Sequence, residues 1–473
     1  MSIQRRSILQ ALAATPVALP ALTGVTASLA SGTAAAASIA PKQANTYQVK
    51  DFGAKGDGKT LDTKAIQDAI DAAAKTKGTV IFDGGAYRTG ALFLKAGMTF
   101  KVDQGVRLLG SQNIDDYPLL PTRIAGIEMT WPAALINVYK ERDVKLTGDG
   151  IIDGDGKVFW DSYWAKRREY DPKGIRWAAD YDCRRPRLIQ LFEADNVRIE
   201  NLSMYRSGFW TVHICYSQNI EVYNVIIRNN EGGRGPSTDG IDIDSSRKVL
   251  VEKADITCND DALCMKAGRD ADGLRVARPT EDIVIRDCIV RDAAAGVTFG
   301  SETSGGFKNV KVSNIKVYHP TPVGILFKSA QTRGGNISGI EISDIYTHHV
   351  PVVMRVNLNW YPAYSYAKIP AGIKDYPDYW KTLSTPVPKE KGIPQLSDVY
   401  VHDVKAEGGK TAFEISAYPE KPLKNFRFER MHLDTWSAGS IANADNFTFK
   451  DVTILSLDGK SVDVKQSTNI KGL

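Results

Sequence analysis

Cysteine is sparse in this chain of 473 residues: Cys183, Cys215, Cys258, Cys264 and Cys288 are all there is, and no two form a Cys-x-x-Cys pair. That spacing speaks against zinc, and the odd number rules out a full set of disulfides. Most sit in apolar, strand-like surroundings, where a small buried thiol is the expected state. Strong charge of one sign is also missing. The net charge is +5, too mild to imply nucleic acid and compatible with an anionic polymer. Beyond the N-terminus there is no long hydrophobic run, so no membrane span is expected. Helical periodicity nearly vanishes after residue 75. What remains is ordinary globular composition, 43% apolar and 24% charged, which argues against wholesale disorder.

The N-terminus, "MSIQRRSILQALAATPVALPALTGVTASLASGTAAAA" (1–37), has paired arginines, an apolar Ala-rich centre and a small-residue end. This reads as a twin-arginine-type signal peptide, implying a bacterial protein exported to the periplasm or beyond. A disordered or membrane-anchoring tail is the alternative, although Pro16 and Pro20 interrupt the run. Without this segment and its Arg5 and Arg6, the chain is two charges less basic.

Residues 38–473 read as one domain. "DFGAKGDGKTLDTKAIQDAIDAAA" (51–74) passes from a Gly-rich turn into an amphipathic helix at about 60–75, with Thr60 or Asp62 as cap and Ala65, Ile66, Ala69, Ile70 and Ala73 on one face. A repeat follows: "NVRIENLSM" (196–204), "NIEVYNVII" (219–227), "KVLVEKADI" (248–256), "DIVIRDCIV" (282–290), "NVKVSNIKV" (309–317), "GIEISDIYT" (339–347), "DVYVHDVKA" (398–406), "NFRFERMHL" (425–433) and "NFTFKDVTI" (446–454). Each is an alternating strand, a polar corner and a second strand. Period-two alternation inside one long repeat predicts an all-β, right-handed parallel β-helix, coils from about residue 100 to 473, capped by the N-terminal helix. A propeller is the rival, but its meandering strands call for more hairpin turns.

A second register fixes the acidic residues. "DGIDID" (239–244), "DALCMK" (261–266), "AGVTFG" (295–300) and "VGILFK" (323–328) align without gaps. Equivalent positions on successive coils stack about 4.8 Å apart. Asp239 and Asp261 therefore share a column, and Asp260 joins them if the chain bends at Asn259–Asp260. Asp244, Lys266 and Lys328 form a second column. Carboxylates so close raise one another's pKa, as an acid–base pair requires. A calcium site would also suit such an oxygen-rich cluster, and a solvated outward face suits Asp242 and Asp244 equally well.

At "STDGIDI" (237–243), "NDDALCMKAG" (259–268), "GSETSGGFKNV" (300–310), "GILFKS" (324–329) and "GFWTVHICYSQNI" (208–220) the sequence resembles glycoside hydrolase family 28, the polygalacturonase and rhamnogalacturonan hydrolase group. The resemblance implies an inverting hydrolase of pectic polysaccharide containing α-linked galacturonic acid, working without metal or organic cofactor. Asp260 would be the general acid, with Asp239 and Asp261 holding and deprotonating water. Two family positions depart. Ala295 stands where the Gly-His-Gly histidine is expected, and Leu326 where the Arg-x-Lys arginine is expected, so exo-acting or rhamnogalacturonan-directed relatives match better.

Lys266 and Lys328 are the candidate substrate cations, with Arg333 as a replacement for the lost arginine. Trp360 is a candidate sugar platform, as are Trp160, Trp164 and Tyr361, all in expected loops. His213 reads as a structural histidine. A monomer is expected. Two other functions fit the pattern: a calcium-dependent pectic lyase on a similar fold, and a non-catalytic carbohydrate-binding β-helix.

Overall fold

The computed structural model describes residues 45–473, so the segment read as a signal peptide lies outside the described residues. The described chain winds as a right-handed parallel β-helix. Every strand pairing in the main sheet is parallel, and one short hairpin, Leu119–Ile124 with Ile127–Pro132, is antiparallel. Parallel pairing starts well before the expected residue 100, with Thr46–Gln48 against Thr79–Ile81. Those first strands are only a few residues long, too short to display alternation in sequence.

The repeat has a local cause. The residue opening each repeated strand sits at a left-handed corner: φ is 54° at Asn196, 55° at Asn219, 57° at Asp282, 52° at Asn309, 55° at Asp398 and 58° at Asn425. Asparagine and aspartate tolerate that conformation better than other non-glycine residues. They also tie one coil to the next, as Asn219 Nδ2 does to Asp195 Oδ1 (2.7 Å) and Asn309 Nδ2 to Asp282 Oδ1 (2.6 Å).

Inside, identical positions stack. Ile241 faces Leu263, Leu263 faces Val297, Val297 faces Ile325 and Ile325 faces Met354, all buried. Phe299 and Phe327 stack at 4.3 Å with planes 4° apart. Phe299→Ala removes a fully buried ring from between rungs that cannot collapse independently. We expect it to lower unfolding free energy by about 3–5 kcal/mol, read from urea titration.

The helix Thr63–Ala74 buries Ile66, Ala69, Ile70 and Ala73 against the first coils, covering the sheet end that would otherwise expose unpaired edge groups. Asp62 is its N-cap residue, but the carboxylate accepts from Lys55 N (2.8 Å) and Gly56 N (3.0 Å) instead of from the helix. All five cysteines are free and buried. No helix of the described residues is long and apolar enough to cross a membrane.

Three long excursions leave the coils: the hairpin at 119–132, the segment 157–183 and the segment 358–393. The stretch expected as a loop around "VFWDSYW" is instead the helix Lys157–Tyr170, which buries Phe159, Trp160 and Tyr163. Its apolar residues are too few to mark a stripe in sequence. Together the excursions build a second core outside the β-helix, containing Ile124, Trp131, Trp177, Tyr181, Trp380 and Leu383. Trp177 and Trp380 meet at 4.9 Å between ring centroids.

Candidate active site

The strand Ile241–Asp244 pairs with Asp261–Lys266, placing Asp244 opposite Lys266. Just ahead of that ladder, Gly240 N donates to Asp261 O (2.9 Å), which sets Asp239 beside Asp261. One oxygen from each of these two carboxylates, together with Cys264 Sγ, lies within 4.8 Å of the others. The bend expected before the second strand is present: Asp260 stands outside the ladder and its Oδ1 accepts from Asp261 N (3.0 Å). The three aspartates line one cleft with Lys266, Lys328, Glu302, Trp210 and Trp360.

The electrostatics follow from crowding in a poorly hydrated place. Burial, reinforced by Asp239 and Asp261, pushes Asp260 up to about 8. Asp239 is raised well above the carboxylate range by burial and by Asp242. Asp242 itself rises to about 7, burial outweighing the pull of Lys266. Two ammoniums are set among these groups. Lys266 Nζ lies 3.2 Å from Asp239, 3.3 Å from Asp242 and 3.6 Å from Glu302. Lys328 Nζ lies 2.7 Å from Asp261 Oδ2. Each ammonium also sits over an indole, Lys266 at 4.7 Å from the Trp210 ring and Lys328 at 4.3 Å from Trp360. Glu302 is held below its usual range: burial opposes this, but Lys266 and Arg333 outweigh it.

This donor set suits calcium poorly. Two lysine ammoniums already pair with Asp239, Asp242, Glu302 and Asp261, and the donor grouped with Asp239 and Asp261 is a thiol, whereas calcium takes six or more oxygens.

Several sequence expectations need correction. Arg333 is fully buried; it binds Asp270 Oδ2 (2.8 Å) and Ser301 O (3.1 Å) and does not line the cleft. Its acidic partner lies 63 residues away, beyond any local reading. Asp242 and Asp244 are not solvated but fully buried. The hairpin at 119–132 covers their face, and its Arg123 Nη1 meets Asp244 Oδ1 at 2.8 Å. Burial works against ionising Asp244, yet Arg123 and His213 hold it down at about 2. Trp160 is buried, with its indole N–H on Ser207 O (2.7 Å), and Trp164 donates to Arg234 O (3.2 Å); neither lines the cleft. Tyr361 is largely exposed.

His213 is the structural histidine expected. Arg187 Nη1 donates to its Nδ1 (2.7 Å), Nε2 faces Asp244 Oδ2 (3.4 Å), and burial depresses its pKa to about 4. The two family departures, Ala295 and Leu326, form a closed apolar cluster with Val323 and Val352. Several cleft residues escaped the sequence reading. Trp210 and Glu302 sit inside the quoted stretches "GFWTVHICYSQNI" and "GSETSGGFKNV", and Tyr364 inside the aromatic stretch "NWYPAYSY" (359–366) that supplied Trp360 and Tyr361; Arg176, from an excursion, carries no signal at all.

A parallel β-helix with loop-built walls and a carboxylate trio over one sheet face defines a class: solenoid enzymes equipped for acid–base chemistry on extended polymers. The chain belongs to glycosyl hydrolases family 28, whose profile matches residues 90–449. A second profile, rhamnogalacturonase A/epimerase, pectate lyase-like, matches residues 46–113. The chain is similar to a probable polygalacturonase of Vitis vinifera, 32% identical over 312 residues, covering 63% of this chain and 60% of that one. It also resembles an exo-poly-alpha-D-galacturonosidase of Dickeya chrysanthemi, 27% identical over 459 residues, with 88% and 71% covered. Among solved structures, an exopolygalacturonase from Thermotoga maritima superposes with a TM-score of 0.70 at 25% identity, covering 89% of this chain and 91% of that one.

Proposed function

We propose that this protein is an inverting glycosidase that hydrolyses α-linked galacturonic acid chains of pectic polysaccharide from a chain end. The observation that carries the reading is the convergence of Asp239, Asp260 and Asp261 on one cleft, with Asp260 raised to about 8. At neutral pH Asp260 keeps its proton and donates it to the glycosidic oxygen as the bond to the anomeric carbon breaks. Asp239 and Asp261 hold a water on the opposite face of the ring, and one of them accepts its proton as the water oxygen bonds to that carbon. Water in and one sugar hydroxyl out on each side balance the step, with inversion. Lys266 and Lys328 offset the negative charge gathered there, and Trp360 offers a ring beside the reacting groups.

Chain-end action is supported by the excursions. Segments leaving the coils before and after the aspartate rungs meet at Trp177 and Trp380. They supply Ala125, Arg176, Asp180, Trp360 and Tyr364 to the cleft wall, shaping a pocket on what would otherwise be an open trough. The Dickeya and Thermotoga relatives are both named as exo-acting. Export rests on the sequence of residues 1–37.

Digestion of de-esterified homogalacturonan, with products sized over time, tests the reading. Mono- or disaccharide from the first time point, bearing new reducing ends and no ultraviolet absorbance from unsaturated sugars, is expected. A broad ladder of intermediates would refute chain-end action. Unsaturated ends abolished by EDTA would indicate elimination instead, and binding without turnover an adhesin.

A further inference from the structure

We infer that Arg176, on an excursion and not on the β-helix, is the specificity-determining cation that recognises a uronate carboxylate in the cleft. The inference rests on the galacturonan reading above and adds the residue that makes acidic sugars the preferred ones.

The other cations around the cleft are paired or enclosed. Lys266 is shared among three carboxylates and Lys328 is in contact with Asp261. Arg269 is fully buried and spends its donors on Asp270, the Tyr181 hydroxyl and the carbonyls of Tyr364 and Ser365. Arg333 is sealed behind Ser301. The family arginine position is Leu326, which carries no charge and packs into an apolar cluster of buried residues.

Arg176 differs from all of these. It lines the cleft with the three aspartates, and its side chain keeps 13% of its surface exposed. Nη1 donates to Asp180 Oδ2 at 2.9 Å. Nε is buried without a partner, and no oxygen among the described residues takes a hydrogen bond from Nη2. Nε and Nη2 form one edge of the guanidinium fork, the edge that grips a carboxylate with two parallel hydrogen bonds.

The residue is also held in place. Asp180, which anchors it, is buried and binds a second guanidinium, Arg185, at 2.9 Å and the Ser237 hydroxyl at 2.8 Å. Two guanidiniums on one carboxylate leave a local surplus of one positive charge. Tyr361 and Tyr364 flank the Arg176 guanidinium at 5.6 and 5.1 Å from their ring centroids. A planar cation fixed through Nη1, flanked by two rings and lacking partners at Nε and Nη2 is arranged for a planar anion.

The test uses full-length protein, trigalacturonate as substrate and the fully methyl-esterified trimer as a neutral competitor. Arg176→Gln is expected to raise KM for trigalacturonate about tenfold to a hundredfold, the range for losing a charged, two-pronged hydrogen bond. Its kcat is expected to stay within about threefold, because binding in ground and transition state is lost alike. The inhibition constant of the ester should hardly move. Arg176→Lys, which keeps the charge and not the fork, should fall between the two. Unchanged KM in both variants, or equal weakening for acid and ester, would overturn the assignment. If Arg176→Gln loses its thermal transition, Arg176→Lys alone decides by the same comparison. A wild-type protein that releases nothing from trigalacturonate or homogalacturonan would defeat the functional reading itself, a result distinct from active enzyme indifferent to Arg176.

Discussion

Asp260→Asn is expected to reduce kcat by about 10²–10⁴-fold while leaving the thermal midpoint level or slightly higher. The amide has the carboxyl's shape and can still accept from Asp261 N, as Asp260 Oδ1 does at 3.0 Å, but it has no acidic proton to give the leaving oxygen. The midpoint should not fall, because the variant removes a group whose ionisation is opposed by burial and by Asp239 and Asp261. With Asp260 near 8, wild-type activity should decline as pH rises past that value, and the residual activity of the variant should lose that alkaline limb. Steady-state rates across pH with a calorimetric scan of each protein check both halves. A variant that retains full turnover, or one that unfolds, would show that Asp260 has a structural role and not a catalytic one.

Lys266→Met should cost about 3–5 kcal/mol of stability at pH 8, since removing one partner of a buried ion cluster strands the others. Asp239, Asp242 and Glu302 would each lose their ammonium. The penalty depends on pH in a definite direction. A carboxyl whose folded pKa exceeds its unfolded value takes up a proton on folding, so the folded state loses stability as pH rises from about 4 to the folded pKa. Asp242 at about 7 and Asp260 at about 8 set that interval. Protonated carboxyls have less need of Lys266, so the variant should be much less impaired at pH 5 than at pH 8. Asp180 and Asp244, held at about 2, act oppositely: their contribution is present above about 4 and fades as pH falls toward 2. Wild-type stability should therefore peak under mildly acidic conditions. Urea midpoints of both proteins at pH 5 and pH 8 measure the difference. A pH-independent loss would mean that Lys266 acts through packing of its stem against Trp210 and not through its charge.

The two variants probe opposite sides of the same arrangement. A sheet face that concentrates acids gains a proton donor near neutral pH, and it needs buried cations to keep the remaining charge from opening the fold. Lys266 and Lys328, both buried, meet that need, and both are paired with the cleft's own carboxylates. That division of labour moves recognition onto the excursions, where Arg176 stands.

The sequence by itself determined the coil and the aspartate rungs. Strand alternation and corner asparagines act over a few residues, and a repeat that stacks on itself turns equal sequence positions into spatial neighbours. Asp239 and Asp261 could thus be paired by alignment alone, as could Asp244 and Lys266. Only the tertiary structure decided what covers that face. Arg123 reaches Asp244 across 121 residues and Arg333 reaches Asp270 across 63, and Arg176 enters the cleft from an excursion with no counterpart in the repeat. Contacts of that kind depend on how irregular segments fold back onto the solenoid, and no periodicity records it.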